Sequence, residues 1–63
     1  MIELVGSSSE SFDDAVRNAV AEAAKTVKNI SGVDVQGMTA KVEGGRLSEF
    51  RANVKIAFAV EHD

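Results

Sequence analysis

The side chains of this chain that could take part in chemistry are mostly carboxylates, and two of them, Asp13 and Asp14, are adjacent. Paired carboxylates can serve as general acid and general base. Acidic residues in the first turn of a helix also stabilise the positive end of the helix dipole, which is a sufficient reason for both. The only histidine, His62, has no nucleophile beside it in the sequence, and there is no cysteine. We therefore expect a protein that is not an enzyme.

Carboxylates are also candidates for a divalent-cation site, because calcium and magnesium are bound through oxygen ligands. Four acidic residues could meet across subunits of an assembly: Glu10, Asp13, Glu43 and Glu49. An assembly stabilised by Ca²⁺ or Mg²⁺ is therefore one hypothesis. For each residue taken singly, a solvated position or a helix-dipole role is the simpler explanation.

Arg51 is the other side chain with binding chemistry, since a guanidinium can bind a phosphate or stack on a flat ring. An ion pair with Glu49, or with a carboxylate of a neighbouring subunit, is the simpler explanation. Asp34 and Lys55 are predicted to form a cross-strand pair of modest value. The serine run Ser7–Ser9 lacks the lysine of a nucleotide-binding loop and predicts a polar bend.

The sequence predicts a strand near each end of the chain, and the later one carries Glu49, Arg51 and Lys55. From Leu47 to Val60, apolar residues alternate with polar ones, which predicts a strand with one buried face. The residues of that face are Phe50, Ala52, Val54, Ile56, Phe58 and Val60. A second strand, Met1 to Val5, is predicted to end at Gly6.

A helix is predicted from Ser11 to Asn29. Ser11 is a suitable N-cap with Asp14 three residues later, and Gly32 is the expected left-handed C-terminal cap. The apolar stripe consists of Phe12, Val16, Ala19, Val20, Ala23, Val27 and Ile30. Its alanines would allow the helix to lie close to a sheet.

A hairpin is predicted at Gly44-Gly45, because both central positions of a type I′ turn need positive φ. It joins a strand from Val33 to Glu43 to the last strand. With Glu43 facing Arg46, the helix-covered face would pair Thr39 with Phe50, Gly37 with Ala52, Val35 with Val54 and Val33 with Ile56. The opposite, mixed face would pair Val42 with Leu47, Ala40 with Glu49, Met38 with Arg51, Gln36 with Asn53 and Asp34 with Lys55. A bulge at Gly37 would shift part of this register.

These elements predict an α+β fold: a β-α-β-β order with a three-stranded antiparallel sheet wrapped around one helix, in a single domain over residues 1–63. A chain of 63 residues buries only about 60% of its surface, and without disulfides its expected supplement is self-association. A net charge of −3 and three phenylalanines argue against nucleic-acid binding. No apolar run approaches a membrane span or a signal segment, so we expect a cytoplasmic protein without membrane contact.

The sequence resembles the dodecins along almost its whole length. The similar segments are Ile2 to Ser8, Ser11 to Val20, Lys25 to Ile30, Val42 to Leu47, Phe50-Arg51 and Val54 to Phe58. This resemblance implies a small β-α-β-β protein that assembles into a hollow homododecameric shell. It also implies binding and storage of a small ligand, flavin in the better-known members, at subunit interfaces.

The resemblance implies a ligand site at Gly32, Val33, Gln36, Met38 and Arg51. Flavin-binding dodecins carry a stacking tryptophan at the position of Gly32 and a glutamine at that of Arg51. Riboflavin or FMN is thus the implied ligand, although both diagnostic side chains are absent here. Dodecin-like proteins without the tryptophan include a branch associated with calcium, which agrees with the ion hypothesis.

Overall fold

The computed structural model describes residues 2–59. Its elements are β1 (Ile2–Ser8), α1 (Phe12–Ala24), β2 (Ile30–Glu43) and β3 (Arg46–Phe58). The strands form one antiparallel sheet in the order β1-β3-β2, so β3 is central. The predicted β-α-β-β architecture is confirmed, whereas Met1 and Val60, the predicted outer ends of β1 and β3, lie outside the described residues.

The core lies between α1 and the face of the sheet that α1 covers, which we call the inner face. Its buried residues are Ala15, Ala19 and Ala23 from the helix and Ala52, Val54 and Ile56 from β3. Among residues 2–59, Val54 and Ile56 are the only large side chains with complete burial. The alanine stripe does bring the helix close to the sheet, as predicted, but it also makes the core thin.

Gly6 of β1 lies directly against the helix. A Cβ atom at this position would overlap the carbonyl oxygen of Ala15 and would lie 2.7 Å from the Cβ of Ala19. Gly6 therefore does not end β1. The strand continues through Ser8, because its backbone pairs with β3 as far as Phe50.

The start of α1 follows the prediction. Ser11 is the N-cap, and its Oγ accepts a hydrogen bond from the Asp14 backbone N–H at 3.0 Å. The Asp14 carboxylate accepts a bond of 2.6 Å from Ser8 Oγ. Ser8 Oγ also accepts a bond from the Glu10 backbone N–H at 2.9 Å. The predicted polar bend is thus limited to the residues after Ser8. The Ser8 side chain itself fixes the start of the helix through its bonds to Glu10 and Asp14.

The predicted end of the helix is wrong, since α1 ends at Ala24 and not at Asn29. After Ala24 the helix closes with a turn, in which the Thr26 and Val27 N–H groups both donate to the Ala23 carbonyl. Thr26 and Val27 are β-branched residues with weak helix propensity. Asn29 takes the left-handed conformation, with φ of 60°, that was predicted for Gly32.

The hairpin turn is confirmed, because Gly44 and Gly45 have φ of 58° and 76°. The register is confirmed next to the turn, where Glu43 pairs with Arg46, and again at Val33 to Val35. Between these points it is shifted by one residue. The extra residues are Ser48 on β3 and Gln36 on β2, beside the Gly37 position at which a bulge was expected.

The shift corrects the predicted sheet faces. Met38 pairs with Ala52 and Ala40 with Phe50, so both lie on the inner face and not on the mixed outer face. Thr39 and Gly37 pair with Arg51 and Asn53 and lie on the outer face. Together the two bulges place every large apolar residue of β2 after Ser31 on the inner face: Val33, Val35, Met38 and Val42.

The helix does not cover this part of the inner face. α1 packs mainly on β1 and β3 and touches β2 only slightly, and Met38 and Val42 remain 53% and 62% exposed. We call Val33, Val35, Met38, Val42 and the neighbouring Leu47 the uncovered row. The chain is also elongated, since its radius of gyration is 13.4 Å against about 10.6 Å for a compact domain of this length.

Replacing Gly6 tests the close helix contact. We expect Gly6→Ala to lower the free energy of unfolding by at least about 3 kcal/mol, because the added methyl group overlaps backbone. Gly32→Ala is the matched control, since a Cβ there meets nothing within 4 Å. Urea unfolding followed by circular dichroism measures both, and an equal effect of the two substitutions would refute the contact.

Candidate ligand-binding site on the outer sheet face

The outer face of the sheet, opposite α1, carries a polar strip along the central strand. Arg51, Asn53 and Lys55 of β3 alternate with the buried core residues. On β1, Val5 pairs with Asn53 and Glu3 with Lys55. A shallow depression of about 480 Å³ lies over this strip, and its lining residues are Glu3, Leu4, Val5, Gln36, Asn53, Val54 and Lys55. We call it the outer depression.

Local backbone features of β2 shape the outer depression. Gly37 pairs with Asn53, and there is open space where its side chain would be. The bulge residue Gln36 stands next to it at the rim. Asn53 therefore sits on the floor, with Val5 on one side and a residue without a side chain on the other. No sequence motif assigns a role to Asn53, although an asparagine in the middle of a strand is itself unusual.

Charged groups at the rim are paired within the protomer. Lys55 Nζ lies 3.5 Å from Glu3 Oε1. Gln36 Nε2 donates to Asp34 Oδ2 at 2.7 Å. Asp34 is opposite Lys55 in the sheet, as predicted, but the lysine forms its ion pair with Glu3.

Arg51 is held at the far end of the strip. Its Nε donates to Glu49 Oε1 at 2.9 Å, which confirms the predicted ion pair. This hydrogen bond, with the attraction between the charges, lowers the pKa of Glu49 and raises the pKa of Arg51. Arg51 lies beside Thr39 and Ser7 on the outer face.

The five residues predicted to bind a ligand are divided between the two faces. Gly32, Gln36 and Arg51 belong to the outer face, where Gly32 pairs with Ala57. Val33 and Met38 are on the inner face, because each pairs with a buried residue of β3. One protomer therefore brings together only three of the five predicted residues on a common face.

The four predicted metal ligands do not meet within the protomer. Asp13 is bound to Arg17 at 2.9 Å, the i,i+4 pair of the helix, and Glu43 lies 3.3 Å from Lys41. Glu49 forms an ion pair with Arg51, and Glu10 precedes the helix. Within residues 2–59, no three His, Cys, Asp or Glu side chains are grouped to hold a metal ion. The helix of this part of the chain is neither long nor apolar enough to cross a membrane.

Comparison with known proteins identifies the family. The model of the Dodecin family matches residues 1–61. The chain belongs to the dodecin family. A comparison with curated protein sequences finds no match.

Solved dodecin structures share the whole fold of the chain. It is similar to the dodecin of Streptomyces coelicolor, with 31% identity and a TM-score of 0.89 over 98% of this chain and 89% of that chain. A mutant of the Thermus thermophilus dodecin has 27% identity and a TM-score of 0.89, over 98% of this chain and 91% of that one. The dodecin of Streptomyces davaonensis, at 24% identity and a TM-score of 0.88, supports the fold alone, over 97% and 90% of the two chains.

The side chains of this dodecin do not fit the flavin contacts that the resemblance implies. A Cβ at Gly32 would meet nothing within 4 Å, so the place of the expected stacking ring is open space. The Arg51 guanidinium, at the place of the expected glutamine, donates to Glu49 and has no acceptor atom to offer a ring edge. The side-chain amides that line the outer depression are those of Gln36 and Asn53.

The Arg51 to Glu49 pair makes a pH-dependent prediction. Because the pKa of Glu49 is lower in the folded protein than in the unfolded chain, its ionised carboxylate stabilises the folded state above a pH of about 4.3. This stabilisation is lost as the pH falls through the lowered pKa. In Arg51→Gln we therefore expect the pKa of Glu49 to rise towards its ordinary value and this pH dependence to disappear. Carboxyl NMR titration measures it, with Arg17→Gln as a distant control, and an unchanged Glu49 midpoint in Arg51→Gln would contradict the assignment.

Proposed function

We propose that this dodecin is a non-enzymatic protein that assembles into a homododecameric shell and binds and stores a small ligand at its subunit interfaces. The observation that carries the proposal is the uncovered row on the inner face. The shell and its number of subunits come from the family resemblance. The ligand-binding role comes from the family and from the outer depression.

The uncovered row supports self-association on energetic grounds. Exposed apolar patches of this kind are characteristic of interaction sites, and burial stabilises by about 25 cal/mol for each Å² removed from water. Val42 and Leu47 are 62% and 52% exposed, whereas four of the six buried core residues in the described range 2–59 are alanines. A second copy of the chain can complete this core, because it offers the same apolar surface.

The ligand expected from the family is a flavin, either riboflavin or FMN. Without an aromatic ring at Gly32, this dodecin lacks a stacking contact, which is typically worth about 0.5–1.5 kcal/mol beyond the area that it buries. We therefore expect storage of flavin to be weak, and other small ligands to compete for the same face.

The ion-stabilised assembly is the second candidate, in which Ca²⁺ or Mg²⁺ joins carboxylates of different subunits. Its support within the protomer is weaker, because Asp13, Glu43 and Glu49 already have cationic partners. Such surface pairs are worth only about 0–1 kcal/mol, so an ion could displace them at an interface.

The mass in solution tests the assembly. We expect light scattering to give twelve times the chain mass of 6.7 kDa and Val42→Lys to dissociate the assembly, because a charge would be buried in the apolar contact. Ala21→Lys, on the exposed side of α1, is the control and should retain the mass. A stable wild-type monomer would overturn the proposal, and a lower mass or melting temperature in EDTA would favour the ion-stabilised form.

Restoring the aromatic ring tests the flavin part of the proposal. We expect Gly32→Trp to strengthen riboflavin binding by about 2- to 12-fold, from the stacking energy alone, since the position has room for a side chain. Gly32→Leu is the matched control, because it adds apolar volume without a flat ring. Quenching of riboflavin fluorescence gives the affinities, and equal quenching by the two variants would show that flavin does not stack at this position.

A further inference from the structure

We propose that Met38 is a site of reversible oxidation by hydrogen peroxide, and that its sulfoxide keeps the chain out of the assembly. The inference rests on the proposed self-association and deepens it, because it adds a chemical control of that step. The reaction takes place on a chain whose uncovered row has not yet packed against a second copy.

Methionine sulfur is the natural target of a peroxide in this protein. The sequence has no cysteine, tryptophan or tyrosine and only two methionines, Met1 and Met38. The thioether sulfur attacks one peroxide oxygen and the O–O bond breaks, so that the products are a sulfoxide and one molecule of water. The sulfur loses two electrons and the peroxide gains them, so the reaction needs no further reactant.

Met38 is accessible in the protomer and lies near the middle of the uncovered row. Between the two bulges it is on the inner face, with Val35 and Val42 as its neighbours in the row. It is 53% exposed, since its cross-strand partner Ala52 is small and α1 touches β2 only slightly. A peroxide can therefore reach the sulfur from the side on which a second copy would pack.

A sulfoxide at this position opposes burial of the row. Oxidation converts a flexible apolar side chain into a polar one, and its new oxygen can only accept hydrogen bonds. The other members of the row, Val33, Val35, Val42 and Leu47, have aliphatic side chains without a donor. A second copy that packs with the same row offers no donor either, so the oxygen would be buried without a partner, at a cost in free energy.

The effect falls on assembly and not on the fold of the protomer. Met38 does not belong to the buried core of the described residues, so the oxidised chain can still fold. Methionine sulfoxide is reduced enzymatically to methionine, and the reduced chain can assemble again. A second copy on the row would shield the sulfur, so oxidation and assembly exclude each other.

Oxidation of the unfolded full chain with hydrogen peroxide, followed by refolding, tests the inference. Mass spectrometry locates the added oxygen, circular dichroism checks the fold, and light scattering gives the mass. We expect oxidised wild type to need at least about tenfold more chain for half-assembly than untreated wild type, from the buried polar group. Methionine sulfoxide reductase should restore the untreated value.

Met38→Leu is the matched control, because Met1 is then the only methionine that peroxide can oxidise. It should assemble equally well with and without peroxide. If oxidised wild type does not refold, Met38→Gln takes its place, since it has a neutral polar side chain of similar length. Dissociation of Met38→Gln would support the inference, and its retention of the wild-type mass would overturn it.

The outcomes separate this inference from the proposed function. Untreated wild type tests the assembly by itself, and a monomer would overturn both. If untreated wild type assembles and its fully oxidised form assembles at the same concentration, the inference alone is overturned. An equal loss of assembly in oxidised Met38→Leu would also overturn it, because the effect would then not depend on Met38.

Discussion

Contact between α1 and β1 at Gly6 is the constraint on which the rest of the molecule depends. A helix can approach a sheet this closely only where the sheet has no side chain and the helix has small ones, which are Ala15 and Ala19. The contact fixes the helix over β1 and β3. One helix of 13 residues cannot also cover β2, so the long second strand keeps an apolar row that is not covered by the rest of residues 2–59.

Two bulges determine what each face of the sheet presents. Ser48 and Gln36 are extra residues on opposite strands of the hairpin, so the register that the first bulge shifts is restored by the second. Between them, the apolar residues of β2 are turned to the inner face and the polar ones to the outer face. The same bulge at Gln36, next to Gly37, opens the outer depression beside Asn53. The uncovered row and the outer depression thus both depend on irregularities of the hairpin backbone.

Local sequence signals predict most of the fold, because many of its features depend on a few neighbouring residues. The Ser11 cap, the Gly44-Gly45 turn and the order of elements depend on neighbouring residues alone. The end of the helix is less well marked, because Lys25 could continue it. The β-branched Thr26 and Val27 are a weak local signal, and the pairing of Ile30 with Phe58 is a signal from a distant part of the chain. The sequence therefore predicts the start of the helix better than its length.

The sheet faces were predicted wrongly because a strict alternation was carried through the hairpin. The evidence against it is visible in the residues themselves: the apolar positions change phase between Val35 and Met38, and again between Leu47 and Phe50. Each change alone could be a surface substitution. Two changes on opposite strands, at positions that cancel, indicate paired bulges, and they move Met38 to the inner face while Arg51 remains on the outer one.

Separation of the two faces explains how this dodecin can depart from the flavin pattern without losing its fold. The uncovered row is apolar and lies on the inner face, whereas Gly32, Arg51 and Asn53 lie on the outer face and contribute nothing to the buried core. Substitutions on the outer face change hydrogen-bonding groups and leave the thin core untouched, so their cost in stability is small. Asn53 shows the consequence: its low strand propensity is tolerated because the pairing of β3 on both sides holds the backbone.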